Sequence, residues 1–201
     1  MSKLLLATGN QGKIIELEAL LADLAIELLV PQDIGLDISV DEVGVTYAQN
    51  AGRKAAAFAR ASGLLALADD SGLEVDLLDG QPGVRSARFD PQPGATDADR
   101  REYLLERLKG RPRPWTARFR CVVAIGTPAG ELFFSEGVCP GEIIPEERGE
   151  FGFGYDRLFL LPEHGLTMAE LAMEQKNRLS HRARAVLAAR PILLNLLSRY
   201  K

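Results

Sequence analysis

Residues 64–77 read LLALADDSGLEVDL and place two adjacent carboxylates between apolar segments. Leu64 to Ala68 is typical of a short buried strand, and Leu73 to Leu77 has an extended pattern again. Between them, Asp69-Asp70-Ser71-Gly72 is expected at the carboxyl end of the first strand, a position that favours magnesium binding and the activation of water. Because side chains alternate between the faces of a strand, one carboxylate should point towards a ligand, and the other should hold the turn or oppose the first glycine-containing loop of the chain. A plain Asx turn that closes the strand is the alternative.

Strands and helices alternate on both sides of this stretch. Upstream, Lys3 to Thr8 and Ile26 to Val30 have strand patterns, with a helix that begins near Gly12 between them. Tyr47 to Ala61 is alanine-rich and helical, and it ends before Gly63. Downstream, the patterns predict helices over 96–109, 167–174 and 180–190, a last helix from Pro191, and a hairpin of strands over 117–126 and 132–138. The alternation predicts a mixed α/β fold around a long sheet.

Length and composition restrict the class of protein. A chain of 201 residues with 46% hydrophobic residues predicts one domain over residues 1–201. Cys121 and Cys139 form no CxxC pair, so we expect packing cysteines of a reducing, cytoplasmic compartment rather than a zinc site or a disulfide. The net charge of −4 argues against nucleic-acid partners, and no apolar run reaches the length of a membrane span. A small anionic ligand is compatible with this charge.

Two segments carry the residue types of a phosphate and metal site. Thr8-Gly9-Asn10-Gln11-Gly12-Lys13 joins a strand to a helix, where backbone N–H groups and a lysine favour phosphate. It is not a Walker A loop, because Ile14 stands where Ser or Thr would bind magnesium. Asp41-Glu42-Val43-Gly44 precedes the helix that carries Asn50 and Lys54, which share one face and are placed to bracket a metal and a phosphate. The alternatives are an ordinary strand-to-helix turn and a helix start decorated with acids.

Two further segments carry the residue types of a purine site. Phe153-Gly154-Tyr155-Asp156 offers aromatic faces for stacking and an acid for the N–H edge of a base. Ser180-His181-Arg182, with Lys176 upstream, offers donors for the carbonyl oxygens of a base. The alternatives are a tight glycine turn that packs two aromatics and a solvated helix start.

Six ordered motifs extend over nearly the whole chain, from Leu4 to about Leu187. They are Ala7-Thr8-Gly9-Asn10 with Lys13, Glu42-x-Gly44-x-Thr46-Tyr47-x-x-Asn50-Ala51-x-x-Lys54-Ala55, Ala68-Asp69-Asp70-Ser71-Gly72-Leu73, Gly80-x-Pro82-Gly83-Val84-x-Ser86-Ala87-Arg88, Gly152-Phe153-Gly154-Tyr155-Asp156 and Ser180-His181-Arg182. In types and spacing this set resembles the inosine triphosphate pyrophosphatase family, also called Ham1-like or RdgB-like. One departure is Arg157, which stands where relatives usually have proline.

The resemblance implies a fold, an activity and an assembly. The fold would be ITPase-like, on the Maf/Ham1 scaffold: an elongated mixed central sheet with flanking helices and two lobes around a nucleotide cleft. The activity would be hydrolysis of abnormal purine nucleoside triphosphates (ITP, dITP and XTP) to the monophosphate and pyrophosphate. Mg²⁺ would be the cofactor, and the enzyme would be a homodimer.

The resemblance also implies roles for the residues around the triphosphate. Asp70 would accept the proton of the attacking water and would bind Mg²⁺ together with Glu42. Ser71 would contact the nucleotide. The triphosphate would be held, and its charge balanced, by Thr8, Gly9, Asn10, Gln11, Gly12, Lys13 and Lys54.

For the base, the resemblance implies that Phe153 stacks on the purine, with Gly154 and Tyr155 beside it. The purine edge would be read by Asp156, Lys176, His181 and Arg182. Because Arg182 can only donate hydrogen bonds, a 6-oxo purine would be matched where the 6-amino group of adenine would not.

Two rival functions stay open at this point. A Maf-type hydrolase of pyrimidine triphosphates would use a similar scaffold, although the Ser-His-Arg cluster and the Phe153 loop argue against it. A non-catalytic sensor of purine nucleotides would not need Glu42 and Asp70 facing the phosphates.

Overall fold

The computed structural model describes residues 2–200 and has an α/β fold built on a seven-stranded mixed sheet. The strands are β1 (Ser2–Leu6), β2 (Ile26–Leu29), β3 (Leu65–Val75), β4 (Trp115–Gly126), β5 (Leu132–Ile143), β6 (Phe159–Leu161) and β7 (Leu166–Thr167). Their order in the sheet is β2-β1-β3-β4-β5-β6-β7. β1 pairs in parallel with β2 and β3, whereas β6 pairs antiparallel with β5 and β7. The predicted mixed sheet is therefore confirmed.

Helices flank the strands, as predicted. They are α1 (Gln11–Leu21), α2 (Tyr47–Ser62), α3 (Asp97–Leu108), α4 (Met173–Leu179) and α5 (His181–Arg199), with short 3-10 turns at Pro31–Ile34, Asp76–Leu78 and Gly83–Arg88. α2 ends at Gly63, whose φ of 71° is the left-handed conformation that glycine adopts without a steric penalty. α3 begins with a capping box in which Thr96 and Asp99 satisfy each other's backbone N–H groups. None of the helices in the described part of the chain has the length and apolarity needed to cross a bilayer.

The chain divides into two compact units, each with its own apolar core. Unit 1 comprises the chain up to Asp70, Cys121–Gly137 and the chain from Arg182 onward, and unit 2 comprises Ser71–Arg120 and Val138–His181. The core of unit 1 includes Leu4, Leu6, Leu17, Leu67, Val123, Ala183 and Leu193. The core of unit 2 includes Leu73, Val75, Leu104, Phe119, Ile143, Phe159 and Met168. Both cysteines are free and buried, Cys121 in the first core and Cys139 in the second.

The prediction that the strand ends before Asp69 was wrong. β3 continues from Leu65 to Val75 and contains both carboxylates, so they lie inside a strand rather than in a closing turn. An ionised side chain can be buried in a strand when cations compensate its charge, and Asp69 forms ion pairs with Lys13 and Arg182. The strand signal at this position was masked by charges whose partners lie elsewhere in the chain.

Two helix predictions near the C-terminus were also wrong. Thr167 lies in β7, and its N–H donates to the Glu170 carboxylate in the turn that follows, so the capping pattern does not begin a helix. Pro191 lies inside α5 rather than at the start of a new helix. α5 continues through this proline because apolar residues before and after it, such as Val186 and Leu193, are buried in one core.

Candidate active site

The loop of residues 8–13, which the sequence analysis predicted to bind phosphate, lies at the surface of unit 1 and is held by its own side chains. Ala7 N–H donates to the Leu67 carbonyl at 2.8 Å, which fixes the end of β1. Asn10 caps α1, because its side chain accepts from Lys13 N–H at 3.0 Å. Residues 8–12 are exposed or half-buried. An exposed helix N-terminus of this kind favours anions through its free N–H groups.

Asp69 is a deeply buried acid of unit 1, with 1% of its surface exposed. Lys13 Nζ lies 3.0 Å from Asp69 Oδ2, and Lys54 Nζ donates to the Asp69 carbonyl at 2.7 Å. Burial opposes ionisation of Asp69, but the charges of Lys13, Arg182 and Lys54 outweigh it and hold the pKa of this carboxyl well below its usual range. Asp69 is therefore an ionised group that draws both lysines to one point of β3.

Asp70 points to a different set of partners, as expected for neighbours on a strand. Its Oδ2 accepts from Asn50 Nδ2 at 2.9 Å. Burial raises the pKa of Asp70 above its ordinary value, while the Asn50 hydrogen bond and the charges of Lys54 and Lys13 oppose the shift. Of the two adjacent carboxyls, Asp70 is thus the better proton acceptor.

Asn50 also ties Asp70 to the loop before α2. Asn50 Oδ1 accepts from Gly44 N–H at 2.8 Å, and a Cβ at position 44 would lie 2.5 Å from this same oxygen. Lys54, one turn along α2, donates to Glu42 Oε1 at 2.7 Å. Burial would lower the pKa of Lys54, but the charges of Asp69 and Glu42 raise it. The predicted grouping of Glu42 with Asn50 and Lys54 is present, and glycine is required at position 44 for a steric reason.

Glu42 and Asp70 carry carboxylate oxygens of the kind that a magnesium ion would take as ligands. Both offer carboxylate oxygens, and the charge of Glu42 is one of the causes that raise the pKa of Asp70. A divalent cation would relieve this repulsion. Within residues 2–200, no group of three or more His, Cys, Asp or Glu side chains has the arrangement of a metal site. Mg²⁺ commonly uses one or two carboxylates and takes its other ligands from water and phosphates, so two carboxylates are sufficient.

The aromatic segment of unit 2 is organised by a buried ion pair. Asp156 Oδ2 accepts from Lys176 Nζ at 2.7 Å and from Phe153 N–H at 3.1 Å. Lys176 Nζ lies 5.6 Å from the centroid of the half-buried Phe153 ring, within the range of a cation–π contact. At Gly152, where φ is 76°, a Cβ would lie 2.1 Å from Asp156 Oδ2. Phe153, Asp156 and Lys176 are therefore brought together, as predicted.

The first turns of α3 hold the same segment, which the sequence analysis missed. Asp97 Oδ2 accepts from Gly154 N–H at 2.8 Å, and Arg101 donates to the Gly154 carbonyl at 2.9 Å. Arg101 also pairs with Glu147, which lies 3.5 Å from Arg157. Acids at a helix start are expected from the helix dipole alone, so no sequence signal distinguished this role. Arg157 joins this network through Glu147.

Three other candidate residues have different surroundings. Tyr155 is buried and donates through its hydroxyl to the Ser86 carbonyl at 3.0 Å, so it packs into unit 2. His181 is buried and stacks on Phe119 with ring centroids 4.7 Å apart and an interplanar angle of 16°. Ser71 is half-buried in β3.

Arg182 lies in the interior of unit 1. It is 1% exposed, and its guanidinium pairs with Asp69 Oδ2 at 3.2 Å and with Glu16 of α1. The sequence analysis assigned this guanidinium to a purine edge, and in the structure Asp69 and Glu16 are among its partners. Glu16 was not a candidate, because a single acid in an amphipathic helix carries no signal until its partner is known.

Comparisons with known proteins agree with this assembly of motifs. The chain matches the Ham1 family over residues 4–192. It is 49% identical over 195 residues to the dITP/XTP pyrophosphatase of Desulforamulus reducens, with 96% of each chain covered. It is 50% identical over 189 residues to the dITP/XTP pyrophosphatase of Thermus thermophilus, covering 92% of this chain and 89% of that one. A solved HAM1 protein from Coxiella burnetii superposes with a TM-score of 0.86 at 38% identity, covering 97% of this chain and all of that one.

The hydrogen bond from Gly154 N–H to Asp97 should make the stability of the protein depend on pH. Burial opposes ionisation of Asp97, but the hydrogen bonds from Arg100 and Gly154 outweigh it and lower the pKa. A lowered folded-state pKa contributes stability above the unfolded value of about 3.9, and this contribution is lost as the pH falls through the folded value. Asp97→Asn should therefore destabilise by about 1 kcal/mol at pH 7, a modest figure because the side chain is partly exposed. The difference in the free energy of unfolding between wild type and Asp97→Asn, measured by urea denaturation, should become smaller as the pH falls towards 3.5.

Asp37→Asn is the matched control, because Asp37 is exposed in a loop. It should leave the free energy of unfolding unchanged at neutral pH. If the difference in the free energy of unfolding between Asp97→Asn and wild type stays constant down to pH 3.5, ionised Asp97 does not stabilise the fold through its contact with Gly154.

Proposed function

Because this chain belongs to the Ham1 family, we propose that it hydrolyses abnormal purine nucleoside triphosphates (ITP, dITP and XTP) to the monophosphate and pyrophosphate. Such a reaction removes damaged purines from the nucleotide pool. The observation that carries the proposal is the convergence of Lys13 and Lys54 on Asp69, immediately before a carboxyl whose pKa is raised. Two cations that could hold a triphosphate thus contact the residue that directly precedes the candidate base.

In the proposed reaction, Asp70 takes a proton from the attacking water. The water oxygen forms a bond to the α-phosphorus, the bond from that phosphorus to the bridging oxygen breaks, and pyrophosphate leaves with the bonding electrons. A base with a raised pKa accepts a proton more readily than an ordinary aspartate. Asn50, at 2.9 Å, fixes the direction of the Asp70 carboxylate, and Lys13 and Lys54 stabilise the charge that builds on the leaving group.

Glu42 and Asp70 would hold the Mg²⁺ ion through their carboxylate oxygens. When bound, this ion would neutralise phosphate charge and polarise the water. The exposed loop 8–13 would supply N–H groups to the phosphates.

The purine would be bound by residues of unit 2. Phe153 offers a ring face, and Lys176 beside it offers an ammonium group for a 6-oxo oxygen. Adenine presents a 6-amino donor to the same ammonium group, and a buried polar mismatch of this kind can reduce kcat/KM by up to about 10⁴-fold. Because Asp97 and Arg101 hold Gly154, the Phe153 face is fixed before the nucleotide binds.

The assembly we propose is a homodimer in the cytoplasm. Unit 1 has a concave apolar surface that encloses a volume of about 630 Å³. Its lining includes Val43, Val45, Leu132 and Phe134. Val43 and Val45 are 66% and 80% exposed, and contiguous exposed apolar surface of this kind is typical of protein interfaces. A second copy of the chain is the occupant we propose for it.

The reaction is tested by a pyrophosphate-release panel. We expect pyrophosphate from ITP, dITP and XTP when Mg²⁺ is present, with kcat/KM at least about 10²-fold lower for ATP, and little release without the metal. UTP and dTTP serve as controls for a pyrimidine-specific hydrolase. Binding without turnover would indicate a sensor, and release of orthophosphate would place the cleavage at another bond.

The role of Asp70 is tested by Asp70→Asn. The amide keeps the shape but cannot accept the proton, so kcat for ITP should fall by about 10²- to 10⁴-fold, while nucleotide binding measured by calorimetry stays largely intact. Asp41→Asn makes the same charge change on the exposed loop beside Glu42 and should retain activity. Turnover of Asp70→Asn near the wild-type rate would remove Asp70 from the role of base.

The homodimer is tested by Phe134→Glu. Phe134 is 46% exposed on the apolar surface, and a buried unpaired carboxylate there would oppose pairing. We expect a dimer for wild type and a monomer for the variant in analytical ultracentrifugation. Leu194→Glu is the control, because Leu194 is also a large exposed apolar residue, at 50%, but does not line this surface. A monomeric wild type would contradict the proposal.

A further inference from the structure

The loop of residues 80–88 carries one of the six sequence motifs, and the proposed function assigns no role to it. Within unit 2 this loop lies against the end of β3. Val75 N–H donates to the Gln81 carbonyl at 3.1 Å, and Leu73 N–H donates to Ser86 Oγ at 2.8 Å. Because the N–H groups of alternate strand residues point to the same edge, the loop pairs with one edge of β3 at two successive positions.

Ser86 connects this edge of β3 to the segment that is proposed to bind the purine. Its hydroxyl also donates to the Gly83 carbonyl at 2.7 Å, and its backbone carbonyl accepts from the Tyr155 hydroxyl at 3.0 Å. Tyr155 directly precedes Asp156, whose Oδ2 accepts from Lys176 Nζ. A series of hydrogen bonds therefore runs from β3 through Ser86 to the residue next to this buried ion pair.

We infer that Ser86 is a positioning residue for the purine, which acts through the Tyr155 hydroxyl on the segment of residues 153–156. Because Ser86 is also bonded to β3, it holds that segment in a fixed place relative to the strand that contains Asp70. The inference rests on the proposed function, which assigns the 6-oxo oxygen of the base to Lys176. Ser86 itself would not touch the nucleotide.

The burial of these groups is the first argument. Leu73, Tyr155 and Ser86 are 0%, 4% and 9% exposed, so water does not readily replace a lost hydrogen-bond partner. Burial raises the pKa of Tyr155, so the phenol stays protonated and its one proton is donated to the Ser86 carbonyl. Loss of either hydroxyl would take a partner from a buried N–H or carbonyl group, and the segment would shift to relieve this.

The second hold on the same segment is the second argument. Asp97 and Arg101 of α3 bind the backbone of Gly154, while Ser86 binds the side chain of Tyr155. One tether leaves a segment free to turn about it, whereas tethers on two adjacent residues fix its orientation. The direction in which the segment presents its base-binding groups is therefore set by both contacts.

The inference separates base recognition from phosphate affinity. A contact with the base that is equally strong in the ground state and in the transition state contributes to KM and not to kcat. ATP presents a mismatched 6-amino group to Lys176, so it has little to lose when that ammonium group moves. Inorganic tripolyphosphate has no base, so its binding should not depend on Ser86.

The test uses Ser86→Ala and Tyr155→Phe in the full-length protein. For each, KM for ITP and XTP should rise by about 5- to 10-fold, the range that one buried hydrogen bond is worth. The value of kcat, KM for ATP and the calorimetric affinity for tripolyphosphate should stay within about twofold of wild type. The ITP-to-ATP ratio of kcat/KM should therefore fall.

Ser62→Ala is the matched control for the lost hydroxyl. Ser62 Oγ donates to the Phe58 carbonyl at 2.7 Å and accepts from Leu64 N–H at 3.1 Å, so this hydroxyl also bridges a carbonyl and an N–H group, but at the end of α2 in unit 1. The melting temperature of Ser62→Ala should fall, as that of Ser86→Ala should, while its ITP-to-ATP ratio stays at the wild-type value. A merely structural role for Ser86 would leave both variants with that value.

A double-mutant cycle tests whether Ser86 acts through Tyr155. If it does, Ser86→Ala should add little to the rise in KM for ITP that Tyr155→Phe causes, whereas independent effects would multiply. Circular dichroism identifies a variant that fails to fold. If Ser86→Ala fails to fold, Tyr155→Phe, which removes only the hydroxyl, supplies the test of the ratio.

An unchanged ITP-to-ATP ratio in these variants would overturn the inference, as would a parallel loss of tripolyphosphate affinity or independent effects in the cycle. Failure of the proposed function has a different signature. The wild type would then release no pyrophosphate from ITP or XTP, and the inference would fall with the function.

Discussion

A carboxylate without access to water must be surrounded by positive charge, and Asp69 imposes this requirement on unit 1. Lys13 of α1 and Arg182 of α5 pair with its side chain, while Lys54 of α2 donates to its carbonyl. Since each cation comes from a different helix, compensation of one buried charge fixes three helices against β3. The same requirement brings together the ammonium groups of Lys13 and Lys54, to which we assign the triphosphate, so stability and the proposed function rest on one set of contacts.

The alternation of side chains along β3 explains why two adjacent acids differ. Asp69 faces the cations, and they hold its pKa well below the usual range. Asp70 faces Asn50, and burial raises its pKa. A permanently ionised carboxylate is suited to holding cations in place, whereas a carboxyl with a raised pKa is suited to proton transfer. Strand geometry thus separates structural and chemical roles that the sequence places side by side.

Unit 2 repeats this principle with different residues. The buried pair of Asp156 and Lys176 positions a cation beside the Phe153 ring, and Asp97 and Arg101 of α3 fasten the backbone at Gly154. In the proposed purine site, an aromatic face and an ammonium group held in this way would be selective, because neither could move to suit a mismatched base. The rigidity comes from α3, a helix in which the sequence analysis named no purine-site residue.

The sequence by itself determined the alternation of strands and helices, the extent of α2, the capping box of α3 and most of the site's residue types. These features depend on local patterns of apolar residues, caps and glycines, which act over a few neighbouring residues. Tertiary structure alone decided that β3 continues through Asp69 and that Arg182 turns inward to Glu16. Both depend on charge pairs between residues more than a hundred positions apart, and burial of a charge has no local signature because its cost is set by the partner that folding brings to it.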